Sequence, residues 1–300
     1  MTKRKDDQQL YLPDTEHLAE MSRLMGQGTL LTQVAGGLLP EYADLSQFGR
    51  VLDAACGPGE WALEYAFKSP NTEVVGFDIS ERMISYATEQ AKELGLENAH
   101  FHVMDIRLPL GFPDASFDLV NARTIAGVLP RAIWPKFVQE AGRIVRPAGV
   151  IRLTETDNWS ITNSPAYQEL CHLAYAVAHN MGVGFSPDGS DWGITNMLGK
   201  FLRDAGCENI RERTFSINFS AGTEAHMSMY REQSAFLRLA KDKLLANSPY
   251  DRSRYDQLLG QLDEEMTSPD FRAISYFLTC WGEKGDSSKD ERQGNERSSD

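Results

Sequence analysis

The architecture can be inferred from one stretch of the sequence, Val51-Leu52-Asp53-Ala54-Ala55-Cys56-Gly57-Pro58-Gly59-Glu60-Trp61-Ala62. An apolar run ends at the carboxylate of Asp53, a glycine-rich turn follows, and the chain then shows the apolar spacing of a helix. Gly57 and Gly59 permit the turn and let the backbone approach a ligand closely. The free N–H groups and the dipole at a helix N-terminus attract anionic or polar groups. The stretch therefore predicts a strand, a tight turn and a helix that bind a nucleotide-like ligand.

Strand and helix signals alternate regularly around this stretch. The predicted strands are Arg50–Ala55, Glu73–Asp78, Ala99–Met104, Phe117–Ala122 and Val150–Glu155. Helical spacing follows the first, second and fourth of them, in Gly59–Lys68, residues 83–94 and residues 133–144, and Pro147-Ala148-Gly149 is expected to end the last helix. Such alternation with short loops predicts an α/β fold, a doubly wound and mostly parallel sheet. Right-handed crossovers place the strand C-termini along one edge, where ligands bind.

The rest of the chain is expected to flank this core, residues 41–157. Residues 1–10 are predicted to be a flexible tail, 11–40 an N-terminal helical lid of two short helices broken near Gly26–Gly28, and 283–300 a disordered tail. Residues 158–282 are predicted to complete the sheet and to carry helical cap insertions. The predicted helices there are Pro165–Met181, Ile194–Ala205, Glu224–Leu245 and Arg254–Met266, and the predicted strands are Ile210–Phe219 and Ala273–Trp281.

Composition narrows the classes of function. The chain has 300 residues, of which 41% are hydrophobic and 24% charged, as in a globular protein with a full-sized core. A net charge of −13 argues against sequence-independent binding to nucleic acid or to an anionic membrane surface. We therefore expect no nucleic-acid partner.

Cysteine usage and hydropathy indicate the compartment. The four cysteines are far apart and form no C-x-x-C pair, which favours reduced thiols over a disulfide framework or a zinc site. No apolar run reaches membrane-spanning length, and no signal-type apolar segment follows the charged N-terminus. We expect a cytoplasmic protein without membrane insertion, and leave open whether it forms a homodimer.

Carboxylates close three successive strands of the predicted sheet. Asp53 could meet a ligand ammonium, Asp78 could accept both hydroxyls of a ribose, and Asp105 could accept from an adenine amine. Ile79, Met83 and Ile106 are apolar residues suited to enclosing the adenine ring. The pattern Gly57-x-Gly59-x-x-Ala62 also fits a dinucleotide fingerprint, but three acids would repel a diphosphate. They suit a ligand with an amine, a diol and an adenine.

With these features the chain resembles the class I S-adenosylmethionine-dependent methyltransferases, in the group typified by ubiquinone/menaquinone-biosynthesis C-methyltransferases. The matching pieces are Val51–Gly59, Gly76-Phe77-Asp78-Ile79-Ser80, Asp105, Pro113-Asp114-Ala115-Ser116-Phe117-Asp118-Leu119-Val120 and Val145-Arg146-Pro147-Ala148-Gly149-Val150. They cover about residues 15–155; Ala148 stands where the family more often has glycine. The resemblance implies a seven-stranded sheet of order 3-2-1-4-5-7-6 with strand 7 antiparallel, and S-adenosylmethionine as the cofactor.

The resemblance also implies roles for individual residues. The expected cofactor-binding residues are Asp53, Ala55, Gly57 and Gly59 at the methionine portion, Asp78 at the ribose, Ile79 and Met83 at the adenine face, Asp105 and Ile106 at the adenine edge, and Asn121 near the sulfonium. Arg123 and Thr124 are weaker candidates in the same loop.

Methyl transfer from a sulfonium is a direct displacement, so alignment and exclusion of water can supply most of the catalysis. No catalytic triad is required. The candidate catalytic groups are Glu155 and Asp157, after the fifth strand, and His179 with His172 on one helical face. Glu155 and Asp157 lack an identifiable third ligand, so no metal site is predicted.

Aromatic residues are frequent in the predicted cap, which favours an apolar pocket for a small organic acceptor over a polymer. The Asn-Pro-Pro-Tyr type motif of DNA methylation is missing, since the chain reads Asn121-Ala122-Arg123-Thr124. Transfer to oxygen, nitrogen or carbon stays open. Two alternatives are an NAD-linked oxidoreductase and a non-catalytic partner subunit that binds S-adenosylmethionine.

Overall fold

Eight strands form one sheet in the computed structural model, which describes residues 11–286. The strands are β1 (Arg50–Ala54), β2 (Glu73–Asp78), β3 (Ala99–Val103), β4 (Phe117–Arg123), β5 (Val145–Glu155), β6 (Ile161–Thr162), β7 (Cys207–Asn218) and β8 (Ala273–Lys284). The helices are α1 (Leu18–Ala35), α2 (Glu60–Lys68), α3 (Glu81–Glu93), α4 (Trp134–Ile144), α5 (Pro165–Asn180), α6 (Thr195–Asp204), α7 (His226–Ala246) and α8 (Arg252–Thr267).

The sheet has the predicted topology. Strands β3, β2, β1, β4 and β5 are parallel neighbours in that order, and β8 pairs with β5 in the antiparallel direction. Strand β7 pairs along β8, so β7 and β8 are the sixth and seventh strands of the expected order. The class I order is therefore confirmed. The short strand β6, which pairs with the start of β8, was not predicted because two residues carry no periodic signal.

Strand β1 and helix α2 are held against the rest of the core by small and apolar residues. Val51 and Leu52 are fully buried, as expected for a parallel strand covered on both faces. Gly59 has a φ of +89° and precedes α2. A Cβ atom at this position would lie 2.9 Å from the Ala87 Cβ and 3.0 Å from the Phe101 ring. Gly59 is therefore required for packing between α2, α3 and β3 as well as for the turn.

The N-terminal segment forms one helix, and the prediction of two short helices was wrong. Helix α1 runs through Gly26 and Gly28, because a glycine inside a helix costs only about 1 kcal/mol relative to alanine, which packing can offset. Gly28 lies against α2, where an added Cβ would be 3.5 Å from the Glu60 carboxylate. The helix ends at Gly36, whose φ of +91° terminates it.

The start of β5 and the end of β8 also differ from the prediction. Strand β5 already begins at Val145, before Pro147, and an irregularity in its pairing with β4 accommodates the extra residues. Strand β8 continues to Lys284, because it pairs there with Cys207, so the predicted tail does not begin at residue 283. Residues 1–10 and 287–300, the remaining predicted tails, lie outside the described residues.

Helices α5, α7 and α8 pack together, whereas α6 packs elsewhere on the sheet. Helix α7 contacts α1, α5 and α8, and α6 packs against α4 and against β7. A hydrophobic core continues from the parallel strands into these helices. Across residues 11–286, no helix combines the length and the apolar character that crossing a bilayer requires.

Candidate active site

A cavity of about 430 Å³ opens at the C-terminal ends of the parallel strands, under α1 and the C-terminal helices. One part of its wall, here called the sheet end, consists of residues at or beyond the C-terminal ends of the first four strands: Asp53, Ala55, Cys56, Gly57, Pro58, Glu60, Asp78, Ile79, Met83, Asp105, Ile106 and Arg123. Another part, here called the aromatic chamber, is formed by Trp159, Trp192, Ile217, Met229, Phe236 and Phe277. The predicted strand-end acids therefore share one cleft.

Asp53 lies at the sheet end with only 4% of its surface exposed. Burial raises the pKa of its carboxyl to about 6, although Arg123 and a hydrogen bond from Asn121 act in the opposite direction. The Asn121 Nδ2 donates to the Asp53 Oδ1 at 2.9 Å. Asp53 thus keeps a second oxygen for a cationic ligand group.

Asp78 connects the end of β2 to the glycine turn. Its Oδ2 accepts a hydrogen bond from the Gly57 N–H at 3.0 Å, and its Oδ1 accepts one from the Ser80 N–H at 3.0 Å. Burial nevertheless raises the pKa of Asp78. Each carboxylate oxygen has further lone-pair capacity, so both can also accept from a diol.

Asp105 is already paired. Its carboxylate accepts from the backbone N–H and the guanidinium of Arg107, with an Nη2 to Oδ2 distance of 2.7 Å. Partial burial opposes ionisation, but the hydrogen bonds from Arg107 outweigh it and lower the pKa of Asp105. The neighbouring Ile106 also lies on the cavity wall.

Two residues that the sequence assigned to the cofactor do not reach the cavity. Asn121 is fully buried, and its side chain bridges Asp53 and Arg152. These three residues are cross-strand neighbours on β1, β4 and β5, a register that single-chain patterns do not reveal. Gly59 lies behind the turn, in the packing contacts described above.

Three of the four candidate catalytic residues also lie away from the cavity wall. The Asp157 carboxylate accepts from the N–H groups of Ile194 and Thr195, at the start of α6. Asp157 therefore caps the N-terminus of α6 from its position just after β5. The His179 side chain packs beside Gly189, and His172 is exposed on α5. Neither histidine is placed for the predicted role.

Glu155 is the remaining candidate, and it lines the cavity. Its Oε1 accepts from the Ile125 N–H at 2.7 Å, and its Oε2 accepts from the Ala126 N–H at 3.3 Å. Burial raises the pKa of Glu155 to about 8, although these two amides favour the carboxylate. Glu155 can therefore exchange a proton near neutral pH.

Two further charged residues lie at the sheet end. The sequence indicated Arg123 only as a weaker candidate and did not indicate Glu60. Arg123 donates to the Thr32 Oγ1 of α1 at 2.9 Å and lies 6.0 Å from the Trp61 ring centroid. Burial lowers its pKa to about 10. Burial raises the pKa of Glu60, the first residue of α2, to about 7, and its Oε1 has no hydrogen-bond partner within residues 11–286. The sequence feature that could have identified Glu60 as a site residue is its position directly after the glycine turn.

A buried polar network joins α1 to α7 beside the aromatic chamber. The Arg23 guanidinium is paired with Glu20 and with Glu232, and it donates to the Tyr11 hydroxyl at 2.8 Å. The Gln27 Nε2 donates to Glu232 at 3.2 Å. The contacts of Arg23 and Gln27 with Glu232 join residues more than two hundred positions apart, so no local sequence pattern predicts them.

The sequence of the core and this geometry agree with a known family. Residues 51–149 match the family model described as "Methyltransferase domain". The chain thus carries a class I S-adenosylmethionine-dependent methyltransferase domain. S-Adenosylmethionine is accordingly its cofactor, and the predicted family and fold are confirmed.

Curated relatives of the methyltransferase carry related names. It is 28% identical to the demethylmenaquinone methyltransferase of Bacillus cytotoxicus over 188 residues, which are 59% of this chain and 78% of the relative. It is 25% identical to the N-methyltransferase sirN of Leptosphaeria maculans over 292 residues, which are 91% of this chain and 96% of the relative.

Solved structures share the fold of the methyltransferase. The YcgJ protein of Bacillus subtilis superposes with a TM-score of 0.53 at 17% identity, covering 87% of this chain and 99% of that one. Phosphoethanolamine N-methyltransferase 2 of Haemonchus contortus, solved with S-adenosylhomocysteine, gives 0.51 at 18% identity, covering 85% of this chain and 53% of that one.

Proposed function

We propose that the enzyme transfers the methyl group of S-adenosylmethionine to a small organic acceptor held in the aromatic chamber. The observation that carries this proposal is the continuity of one cavity from the strand-end acids to the aromatic residues. A donor at the sheet end can direct its sulfonium into the chamber without leaving the cavity. The names of the relatives include N-methyltransferases and an enzyme that methylates 27-O-demethylrifamycin SV, and so leave the acceptor atom open.

The charges at the sheet end fit the amino-acid portion of the donor. Asp53 and Glu60 present carboxylates for its ammonium, and Arg123 presents a guanidinium for its carboxylate. The unpartnered Oε1 of Glu60 is a buried acceptor that an ammonium would satisfy. In this assignment Arg123 also connects the donor to α1 through Thr32, which gives α1 the role of a lid.

The nucleoside portion of the donor fits the next two strand ends. Asp78 would accept from both ribose hydroxyls, while Ile79, Met83 and Ile106 would enclose the adenine. Asp105 would accept a hydrogen bond from the adenine amine through a lone pair that does not bind Arg107. S-Adenosylmethionine supplies the methyl group and a neutral thioether leaving group, so the protein contributes alignment and exclusion of water.

Glu155 is the group that we propose as proton acceptor, because it alone of the candidate catalytic residues lines the cavity. A neutral acceptor that loses a proton on methylation could pass it to this carboxylate. The four cysteines are free thiols, in keeping with the proposed cytoplasmic location. The absence of a nucleic-acid partner and the possible homodimer stay predictions.

Calorimetry with a screen of acceptors tests this function. We expect S-adenosylhomocysteine to bind with a dissociation constant in the micromolar range and NADH not to bind. We also expect low-molecular-weight amines, phenols or carbon acids to yield at least one methylated product with S-adenosylmethionine. Binding of NADH instead, or no methylated product from a broad panel, would contradict the proposal.

A further inference from the structure

Two carboxylates lie beside the aromatic chamber, although the chamber itself is lined by apolar side chains. Glu155 and Glu232 both line the cavity and are almost completely buried. They come from different elements, β5 and α7, so they are not a local cluster of acids. Burying an ionised carboxylate is costly unless a positive charge or several hydrogen bonds compensate it. The cations near Glu155 and Glu232 determine how much of this cost the protein itself offsets.

Basic side chains on the cavity wall are fewer than acidic ones. Among the described residues that line the cavity, the cationic side chains are Arg23, Arg107 and Arg123. Arg107 pairs with Asp105, and Arg123 lies at the sheet end. Arg23 is shared between Glu20 and Glu232, so one guanidinium faces two acidic side chains, and Glu232 also accepts hydrogen bonds from the neutral amides of Gln27 and Gln233. Glu155 receives only two backbone amides.

The rings of Trp159, Trp192 and Phe236 form an edge-to-face cluster on the cavity wall. The Trp159 centroid lies 4.7 Å from that of Phe236 and 5.9 Å from that of Trp192, both in edge-to-face orientation. Phe236 already has the Arg23 guanidinium 5.4 Å from its centroid. Aromatic walls with adjacent carboxylates are the combination that recognises organic ammonium ions. An uncharged acceptor would gain the rings but would add no second positive charge beside Glu232, which shares Arg23 with Glu20.

We propose that the acceptor is an organic amine that enters the chamber as its ammonium ion and is methylated on nitrogen. This inference rests on the proposed function. Glu232 and the rings of Trp159, Trp192 and Phe236 hold the positive charge, and the apolar walls hold the carbon skeleton. Tight binding therefore requires both the charge and the hydrocarbon surface of the ligand.

Proton transfer to Glu155 precedes methyl transfer to the nitrogen. In the ionised form of Glu155, which is the major form above its pKa of about 8, the carboxylate accepts one proton from the ammonium nitrogen. The nitrogen lone pair forms the new N–C bond while the S–C bond of the donor breaks, and sulfur keeps that electron pair. The methylated amine is again a cation, facing Glu232 and the rings. Glu155 releases its proton to solvent after the product leaves.

A matched pair of probes tests the recognition of charge without knowledge of the acceptor. Choline and 3,3-dimethylbutan-1-ol have nearly the same shape, but the first carries a quaternary nitrogen where the second has carbon. With the enzyme saturated by S-adenosylhomocysteine, we expect choline to bind at least about tenfold more tightly, measured by calorimetry and by tryptophan fluorescence. Weaker or equal binding of choline, including no detectable binding of either probe, would overturn the inference.

Variants assign the effect to Glu232. Glu232→Gln should weaken the binding of choline at least about fivefold and leave that of the alcohol unchanged, since it removes charge but keeps shape. Glu264→Gln, on the exposed face of α8, is the control and should change neither. A melting temperature near that of the wild type shows that the variant folds, and unchanged choline affinity in it would contradict the role of Glu232. Failure to bind S-adenosylhomocysteine in the wild type would refute the proposed function instead.

Discussion

Arg152→Met is expected to lower the free energy of unfolding by about 3–5 kcal/mol, because it removes one partner of a buried ion pair. Arg152 and Glu41 each expose only 2% of their side chains, and the guanidinium donates to both Glu41 oxygens, at 3.2 and 3.3 Å. It also donates to the Asn121 Oδ1 at 3.0 Å, and Asn121 in turn positions Asp53. The variant leaves the Glu41 carboxylate buried without a cation.

Urea unfolding followed by circular dichroism measures this loss. The control is Arg252→Met, which removes an equally charged residue whose side chain and partner Asp242 are 66% and 84% exposed. An exposed pair contributes at most about 1 kcal/mol, so the control should unfold nearly as the wild type does. A loss below about 1 kcal/mol for Arg152→Met would show that the Arg152–Glu41 pair is not a main contributor to stability.

Asp78→Asn is expected to weaken donor binding by about 1–3 kcal/mol, or about 5–150-fold, through the loss of charge-assisted hydrogen bonds to the ribose. Asparagine keeps the shape of the side chain and can still accept from the Gly57 or the Ser80 N–H. The expected loss therefore reports mainly on the carboxylate charge and on its second acceptor oxygen.

Titration calorimetry with S-adenosylhomocysteine measures the Asp78→Asn effect. Glu89→Gln, on the exposed face of α3, changes the same net charge away from the cavity and should bind as the wild type does. A dissociation constant for Asp78→Asn within about twofold of the wild type, in a protein with an unchanged melting temperature, would remove Asp78 from the ribose site.

The central sheet could be predicted because its signals are local. Each of the first three strands is a short run that ends in an acid, and the glycine turn after Asp53 marks the start of α2. Because C-terminal ends of parallel strands share one edge, those acids could be expected in one cleft, and the structure places them there. The position of β7 and β8 followed from the family resemblance, since sequence spacing alone does not specify pairing across the sheet.

Several details depended on tertiary contacts and could not be predicted in the same way. Gly26 and Gly28 suggested a break, yet packing of α1 against α2 and α7 keeps one helix. Asn121 was placed near the ligand because it lies close to the end of β4, but the sheet register sets it between Asp53 and Arg152. Asp157 lies beyond β5 as expected, but its carboxylate accepts a hydrogen bond from the start of α6 and does not reach the cavity.

The charged residues that complete the cavity were the least predictable. Glu232 belongs to a helix distant in sequence, and its pairing with Arg23 spans 209 positions. A carboxylate on an amphipathic helix ordinarily faces solvent, so its burial beside the aromatic chamber is information that only the fold supplies.

A crystal structure of the enzyme with S-adenosylhomocysteine tests the proposed donor site most directly. We expect both ribose hydroxyls within hydrogen-bond distance of the Asp78 carboxylate, the ammonium beside Asp53 and Glu60, and the carboxylate beside Arg123. The sulfur should face the aromatic chamber. A nucleoside bound elsewhere in the cavity, with its ribose away from Asp78 and its sulfur away from the chamber, would contradict the account.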